Sequence, residues 1–581
     1  MEKYEEIKTD VLIIGSEAGG ARAAIEAAKQ GRNVLMVSKG VQSKSGVTML
    51  AIYSCNAALG HADPRDNPDV HFRDTVIGGR FLNNQKLVEI YTKEAIDRVL
   101  EMDEYGIKWD KTGDKFDQGW MPGQSFPRSL HVNWTTGVHF SRALKSETEK
   151  YPQIKSMDLV FVTGLIQGDG RVSGAFAINM MDGTFLVLRA KATIIATGGG
   201  MYLYDINSAS YESTGDGYAY AYRVGAQLMD MEFPQFFPAC MAYPFSIRGQ
   251  AGATTVRYFL HAKLYNCEGE RFMKRYDPAR MELATRDLLA RSIFKEIKSG
   301  KGTPHGGVWM DCSFLPQNII EAQVNKVMGG KWKWSGIDIR EYGLDITKMA
   351  MEVAPVNHYF MGGIRVDERG YTGVEGLFAG GESIVGIDGA NRLAGNALSA
   401  CLVTGCWAGK YAGEYSARGK LLDVHPRCIE EEQKRVFDLL DAAEGESPIP
   451  LRVNLQRLMY SHVGIVRKED ELMEAVQRIG DMRKKKLKLA SRVRRYNREW
   501  IEALTLGNML DVGEMIARSA LTRRESRGAH YREDYPTSED RDWLKNVVVR
   551  KKESVMSLGT LPVVITKLRP EEVSDELKKN D

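Results

Sequence analysis

From Thr9 to Ala24 the chain reads TDVLIIGSEAGGARAA. Thr9 to Gly15 is a run of branched apolar residues, the pattern of a parallel strand buried on both faces. A helical stretch from Gly19 to Gln30 follows, and Asn33 to Ser38 (NVLMVS) predicts a second strand. Strand, glycine turn, helix and strand make a βαβ unit of the doubly wound class. Gly15 permits the tight turn and Gly20 lets helix and strand approach closely. The helix N-terminus then offers N–H groups to a pyrophosphate. Glu17 departs from the usual three-glycine spacing, and its carboxylate stands near the phosphate position unless it turns outward. Ser38-Lys39 replaces the acidic residue that usually ends the second strand and holds an adenosine ribose.

Outward from this unit, two later stretches repeat its ending. Lys191–Gly200 (KATIIATGGG) closes on Thr197-Gly198-Gly199, and Glu375–Glu382 (EGLFAGGE) closes on Gly380-Gly381-Glu382. A parallel sheet whose strand ends carry glycines suits one long dinucleotide lying across them. Asp158 to Leu188 alternates short β-rich runs with turns and predicts an antiparallel excursion. Residues 236–350 have a different texture and read as an inserted mixed region. Leu393 to Ala412 is helical. Asp423 to Leu521 is helical and strongly charged, the pattern of a bundle. After Thr522 strand-like runs return (NVVVR, LPVVIT), before a polar tail expected to fray.

Composition narrows the function. Charged residues make up 27% and the formal net charge is +3 over 581 residues, which gives no support to a nucleic-acid partner. The 7 cysteines form no CxxC pair, so neither a zinc ribbon nor a ferredoxin-type cluster is expected. Their odd number and scattered spacing suit a reducing compartment. Cys401 and Cys406 fall in an apolar helical run and are expected in the core. No apolar run approaches about 18 residues, the length a membrane span needs. The opening MEKYEEIK leads straight into a strand without a signal peptide. A cytoplasmic protein is expected, at the inner face of a membrane only through partners.

Further stretches extend the pattern: DTVIGGRF (Asp74–Phe81), TGDG (Thr214–Gly217), DMEFPQFFP (Asp230–Pro238), GERF (Gly269–Phe272), MELATRD (Met281–Asp287), NHYFMGG (Asn357–Gly363), GANRLAGNAL (Gly389–Leu398) and RESRGAHYREDYP (Arg524–Pro536). In order and along nearly the whole chain, these resemble the flavoprotein subunits of fumarate reductase and succinate dehydrogenase. L-aspartate oxidase and adenylylsulfate reductase are relatives of that family. The resemblance implies an α/β fold: a doubly wound FAD-binding domain (1–235 and 350–415), an inserted α+β capping domain (236–349), a helical domain (416–521) and a small C-terminal region (522–581). It also implies FAD contacts at Gly15, Glu17, Ala18, Gly20, Ser38, Lys39, Ser45, Gly46, Thr48, Ala196, Thr197, Gly198, Asp216, His358, Tyr359, Glu382, Asn396 and Leu398. Glu382 would accept from ribityl or ribose hydroxyls. The helix starting near Asn396 would point its N-terminus at the flavin pyrimidine ring. Family members that tether FAD covalently use a His after the second strand. Here Lys44-Ser45-Gly46-Val47-Thr48 has none, so non-covalent FAD is expected.

Reducing an activated C=C bond needs hydride from flavin N5, a cationic clamp on a carboxylate and a proton donor. By resemblance Arg286 is the proton shuttle, Arg392 binds a carboxylate bidentately and His358 hydrogen-bonds that same carboxylate. Asp287 or Glu282 would belong to the path that recharges Arg286. Two departures bear on the substrate. Phe237 stands where the dicarboxylate enzymes have a His. The stretch Thr254–His261 (TTVRYFLH) lacks the family's Glu after its Thr, so Thr255 belongs to a rebuilt pocket where Arg257 or His261 could substitute. By this resemblance the near-flavin clamp is kept and the far side changed, so a small carboxylic acid is the expected substrate: fumarate, or a related or longer acid.

The resemblance further implies an iron–sulfur partner subunit. Asp481 to Arg498 (DMRKKKLKLASRVRRYNR) reads as a solvated basic helix face, or as a docking surface for an acidic partner. Three other functions share these motifs: an L-aspartate oxidase-like enzyme, an adenylylsulfate reductase-like enzyme, and an electron-transfer flavin subunit with no organic substrate. Retention of Arg286 with Arg392 argues against the second.

Overall fold

The computed structural model describes residues 3–327, 333–334 and 337–573. The quoted stretch folds as β1 (Tyr4–Ile14), α1 (Ala18–Lys29) and β2 (Val34–Ser38). Four more strands follow: β3 (Ile154–Asp158), β4 (Val160–Gly168), β5 (Arg171–Asn179) and β6 (Phe185–Ile195). They join one sheet in the order β3-β2-β1-β6-β5-β4, with Leu377–Ala379 pairing β6 as a seventh strand. β1 runs parallel to β2 and β6, whereas β5 runs antiparallel to both β6 and β4.

One strand here replaces two expected segments. β6 pairs with β5 through Phe185–Arg189 and with β1 along its whole length. The polar residues within it are satisfied laterally. Arg189 pairs with Glu6 and Asp423, and Lys191 with Asp10.

The inserted region has its own sheet, in the order β7 (Pro234–Met241), β10 (Met351–Phe360), β9 (Val308–Asp311), β8 (Lys263–Tyr265), antiparallel throughout. Helices α2 (Gly252–Leu260) and α3 (Arg286–Glu296) share its apolar core, with Val256, Leu289 and Ile293 packed among Met241, Met310 and Val353. Thus β10 lies beyond the boundary expected at residue 349 and belongs to the insert's sheet. Its NHYF end runs back toward the first sheet.

The long helix α4 (Asn396–Arg418) packs on α1 with backbones close together. A Cβ at Gly405 would strike the Gly19 carbonyl oxygen, and one at Gly409 would strike that of Ala23. The bundle is α5 (Pro426–Asp441), α6 (Pro448–His462), α7 (Glu469–Arg483) and α8 (Arg498–Thr522). The basic stretch Asp481–Arg498 is therefore not a helix face. α7 ends at Arg483, and the next residues run extended beside Glu446, which exchanges backbone hydrogen bonds with Lys486 and Lys488. Leu487 and Leu489 point into the core between them, a period of two that no helix can serve. Lys484 and Lys485 pair with Asp481 and Glu446.

The C-terminal hairpin is β11 (Lys545–Lys552) and β12 (Val555–Pro562), earlier than the LPVVIT run suggested. β11 pairs with Leu228–Met229. Preceding it, RESRGAHYREDYP lies on a buried ion network. Arg523 is fully buried and contacts Glu232 at 2.6 Å and Glu525 at 2.8 Å, and Glu525 also holds Arg527. The polar tail after residue 573 lies outside the described residues. Among the described residues no helix is long and apolar enough to cross a membrane.

Candidate active site

A cavity of about 610 Å³ runs along the strand ends of the first sheet and under the insert. Its sheet end is built from glycines. Gly15 sits at φ +113°, and a Cβ there would overlap the Ala196 carbonyl. A Cβ at Gly19 would come within 2.9 Å of Gly381 Cα. Gly20 packs against the Gly15 carbonyl and is a packing residue outside the cavity lining. Ala18, Ser38, Lys39, Ser45, Gly46, Thr48, Ala196, Thr197, Gly198, Asp216, Tyr359, Glu382 and Leu398 all line the cavity.

Several of these are already bound to the protein. Lys39 Nζ donates to Asp216 Oδ2 at 2.7 Å and to Thr214 Oγ1 at 2.6 Å, and Asn508 donates to the other Asp216 oxygen. Ser45 closes its own turn on Val41. The Asn396 side chain departs from expectation. It points into a buried network, accepting from Asn56 at 2.8 Å, meeting His71 Nε2 at 2.9 Å and donating to Thr75 at 3.1 Å. The cavity is instead met by Ala394, Gly395, Ala397 and Leu398 at the start of α4. Cys401 also lines it, where a core position was expected.

Other groups lack partners. Ser16 Oγ, Glu17 Oε1 and Thr197 Oγ1 are sealed from solvent without a hydrogen bond. Glu17 lines the cavity and lies against Gly46. Its Cγ fills the space a Cβ at residue 46 would take, 2.6 Å away, and Gly46 itself sits at φ +83°. Burial brings the Glu17 carboxyl up to about 7, opposed by bonding to Thr48, Ser43 and Ser141. Burial likewise brings Glu382 up to about 8, although it accepts from the Phe360 N–H. Near-neutral carboxyls, aligned helix N-termini and glycine-cleared space fit a dianionic pyrophosphate and a long planar ring system.

The insert end is aromatic and cationic. Phe237, on β7, stacks on His358, on β10, with centroids 4.9 Å apart and planes at 23°. The Arg286 guanidinium, at the first residue of α3, lies 4.5 Å from the Phe237 centroid. Arg392 sits 4.2 Å from the Tyr359 ring, donates to Gln235 Oε1 at 3.2 Å and keeps a buried, unpartnered Nε. Arg257 on α2 is buried, donates to the Glu282 carbonyl oxygen, and also has an unpartnered Nε. Among the described residues no carboxylate lies within ion-pair distance of Arg257, Arg286 or Arg392. Burial, reinforced by Arg392 and then Arg257, brings Arg286 down to about 9. Burial, with Arg392 and then Arg286 adding to it, brings His358 down to about 3, so the ring is neutral.

The recharging path expected through Asp287 or Glu282 is not in place. Glu282 is held by both arms of Arg271 at 2.6–2.8 Å and by the Leu264 N–H, and Asp287 pairs with Arg291 at 3.1 Å. The side chain of Thr255 lies outside what is described. His261 caps the end of α2 at φ +49° and does not line the cavity, whereas Arg257 does. Two residues of this end were missed by sequence reading: Gln235, which accepts from Arg392, and Ser208, whose Oγ meets His358 Nδ1. Gln235 stood inside a quoted motif beside Phe237, and that neighbourhood was its signal.

A doubly wound sheet with a glycine-lined dinucleotide cleft, opening onto a cationic pocket, is the site of an FAD-dependent oxidoreductase. The FAD binding domain family matches residues 10–398, and the family described as fumarate reductase flavoprotein C-term matches residues 452–575. The chain is 41% identical to one chain of the fumarate reductase (CoM/CoB) of Methanothermobacter marburgensis, over 96% of this chain and 99% of that one. It is 31% identical to the fumarate reductase flavoprotein subunit of Haemophilus influenzae, over 97% and 96%. The solved structure of Mycobacterium smegmatis Sdh1 in complex with UQ1 superposes with a TM-score of 0.89 at 35% identity, over 99% of this chain and 98% of that one. The chain belongs to the fumarate reductase/succinate dehydrogenase flavoprotein family.

Proposed function

We propose that this chain reduces the C=C bond of a small unsaturated dicarboxylic acid, of which fumarate is the simplest. The observation that carries this reading is the trio of unneutralised guanidinium groups, Arg257, Arg286 and Arg392, gathered at one end of the cavity. Bound FAD supplies the two-electron, hydride-transferring chemistry. Arg392 and the His358 ring hold the near carboxylate. Arg257 meets the far one, which Phe237 cannot bind. Arg286 gives its proton to the substrate carbon. Its lowered pKa brings it nearer the range in which an acid is useful. With Glu282 and Asp287 engaged elsewhere, water in the cavity mouth is the group left to return that proton.

The cofactor is held without a covalent bond. Gly46 occupies the position of a tethering His, and Glu17 fills the space a side chain would need. We assign residues 1–235 and 361–415 to the FAD-binding domain, 236–360 to the capping domain, 416–521 to the helical domain and 522–581 to the C-terminal region. Electrons reach the chain through an iron–sulfur partner subunit in the cytoplasm, with membrane contact only through partners. Support comes from the relatives, which are named as subunits of fumarate reductases.

Anaerobic photoreduction followed by addition of unsaturated acids tests the reading. Fumarate is expected to reoxidise the flavin, and Arg286→Gln to slow that step at least about a hundredfold. If no acid reoxidises the flavin, the chain only relays electrons and the proposal fails.

A further inference from the structure

His358 carries one proton on two ring nitrogens, and which nitrogen holds it decides whether the ring offers a donor or an acceptor to the cavity. Ser208 Oγ lies 2.7 Å from His358 Nδ1. The segment bearing Ser208 is fixed there by backbone bonds to β10. The Asn357 N–H donates to the Ile206 carbonyl at 3.0 Å, and the Ser208 N–H donates to the Asn357 carbonyl at 3.0 Å. Among the described residues the hydroxyl has one competing acceptor, that same Asn357 carbonyl, at 3.5 Å. This is the outer limit of a hydrogen bond, and the carbonyl is already served. The hydroxyl proton therefore goes to Nδ1, and the ring proton to Nε2. Stacking on Phe237 holds the ring plane. Burial, and after it the cationic neighbours Arg392 and Arg286, keep a second proton off the ring.

We propose that Ser208 is a positioning residue that locks His358 in the Nε2–H tautomer, so that the ring donates to the substrate carboxylate. An Nε2 lone pair would face that carboxylate with like partial charge. The inference rests on the reading of His358 as a carboxylate ligand.

The test uses the FAD-loaded chain and titrates malonate against the oxidised flavin spectrum. Ser208→Ala is expected to weaken malonate binding about tenfold, the scale of one lost hydrogen bond to a charged group, with FAD content unchanged. Ser208→Thr keeps the hydroxyl and is expected to bind within about twofold of the parent. In a His358→Ala background, Ser208→Ala is expected to add nothing, because both changes remove one coupled unit. Three results would overturn the proposal: parental binding by Ser208→Ala, failure of Ser208→Thr to restore binding, or additive losses in the double variant. If His358→Ala itself binds malonate like the parent, the site reading falls and this inference with it. If His358→Ala is impaired and Ser208→Ala is not, the inference alone falls.

Discussion

Phe237 stacks on His358 at 4.9 Å, and the same ring carries the Arg286 guanidinium at 4.5 Å. One phenyl ring thus spaces the proposed proton donor from the proposed carboxylate ligand.

Removing that ring separates its two neighbours. A desolvated cation–π contact is worth about 1–2 kcal/mol. Phe237→Leu is therefore expected to lower kcat about tenfold while the ratio of flavin to protein absorbance stays at the parental value. An unchanged kcat would show that Arg286 is aimed by something else.

Glu17 makes stability depend on pH with a definite sign. Its carboxyl sits at about 7 in the folded chain against an ordinary value of 4.5. Between those values the folded state keeps a proton that the unfolded chain has released. Stability therefore falls as pH rises through that window, by about 3 kcal/mol in all, and levels off above 7. Glu17→Gln removes the loss. In thermal unfolding of the flavin-free protein, the variant should match the parent near pH 4 and exceed it at pH 8. An equal offset at both pH values would mean that the proton is not the cause.

Arg523 is buried between Glu232 and Glu525. Replacing it with Met leaves Glu232 without its cation, while Glu525 keeps Arg527, and costs about 3–5 kcal/mol. Urea unfolding followed by circular dichroism should show the loss as a lower midpoint. Turnover per folded, FAD-loaded molecule should remain near the parental value, since the network touches no cavity residue named above.

Gly405 and Gly480 make a matched pair. A Cβ at Gly405 would strike the Gly19 carbonyl, whereas one at Gly480, on α7, meets open space. Gly405→Ala is expected to push α4 off α1 and weaken FAD binding at least about tenfold by fluorescence titration, since overpacking costs about 1–3 kcal/mol. Gly480→Ala should leave FAD binding alone and raise stability by about 0.5–1 kcal/mol.

Much of this architecture is legible in the sequence because local patterns and fold agree. The run from Val11 to Ile14 is buried on both faces, as its unbroken apolar character requires. The glycines at 15, 19, 20 and 381 are positions where backbone meets backbone. What is not legible depends on pairing across distance. Nothing local tells that Met351–Phe360 pairs with Pro234–Met241, or that residues 486–488 run extended because Glu446 waits beside them. At the site, Arg286 and Arg392 stand in motifs and can be found there. Ser208 carries no motif and becomes visible only when its segment is laid against β10. Asn396 has a motif position, but its side chain was claimed by Asn56, His71 and Thr75.

The two strands that link the insert to the rest of the chain, Pro234–Met241 and Met351–Phe360, are also the strands that bear Gln235, Phe237, His358 and Tyr359. The cap is therefore not an interchangeable cassette. Any graft that joins a relative's insert at its natural seams cuts through the residues around the substrate, so cap and specificity must be inherited together. A chimera with junctions outside these strands exchanges the insert's whole share of the pocket wall, and one with junctions inside them divides that share between the parents.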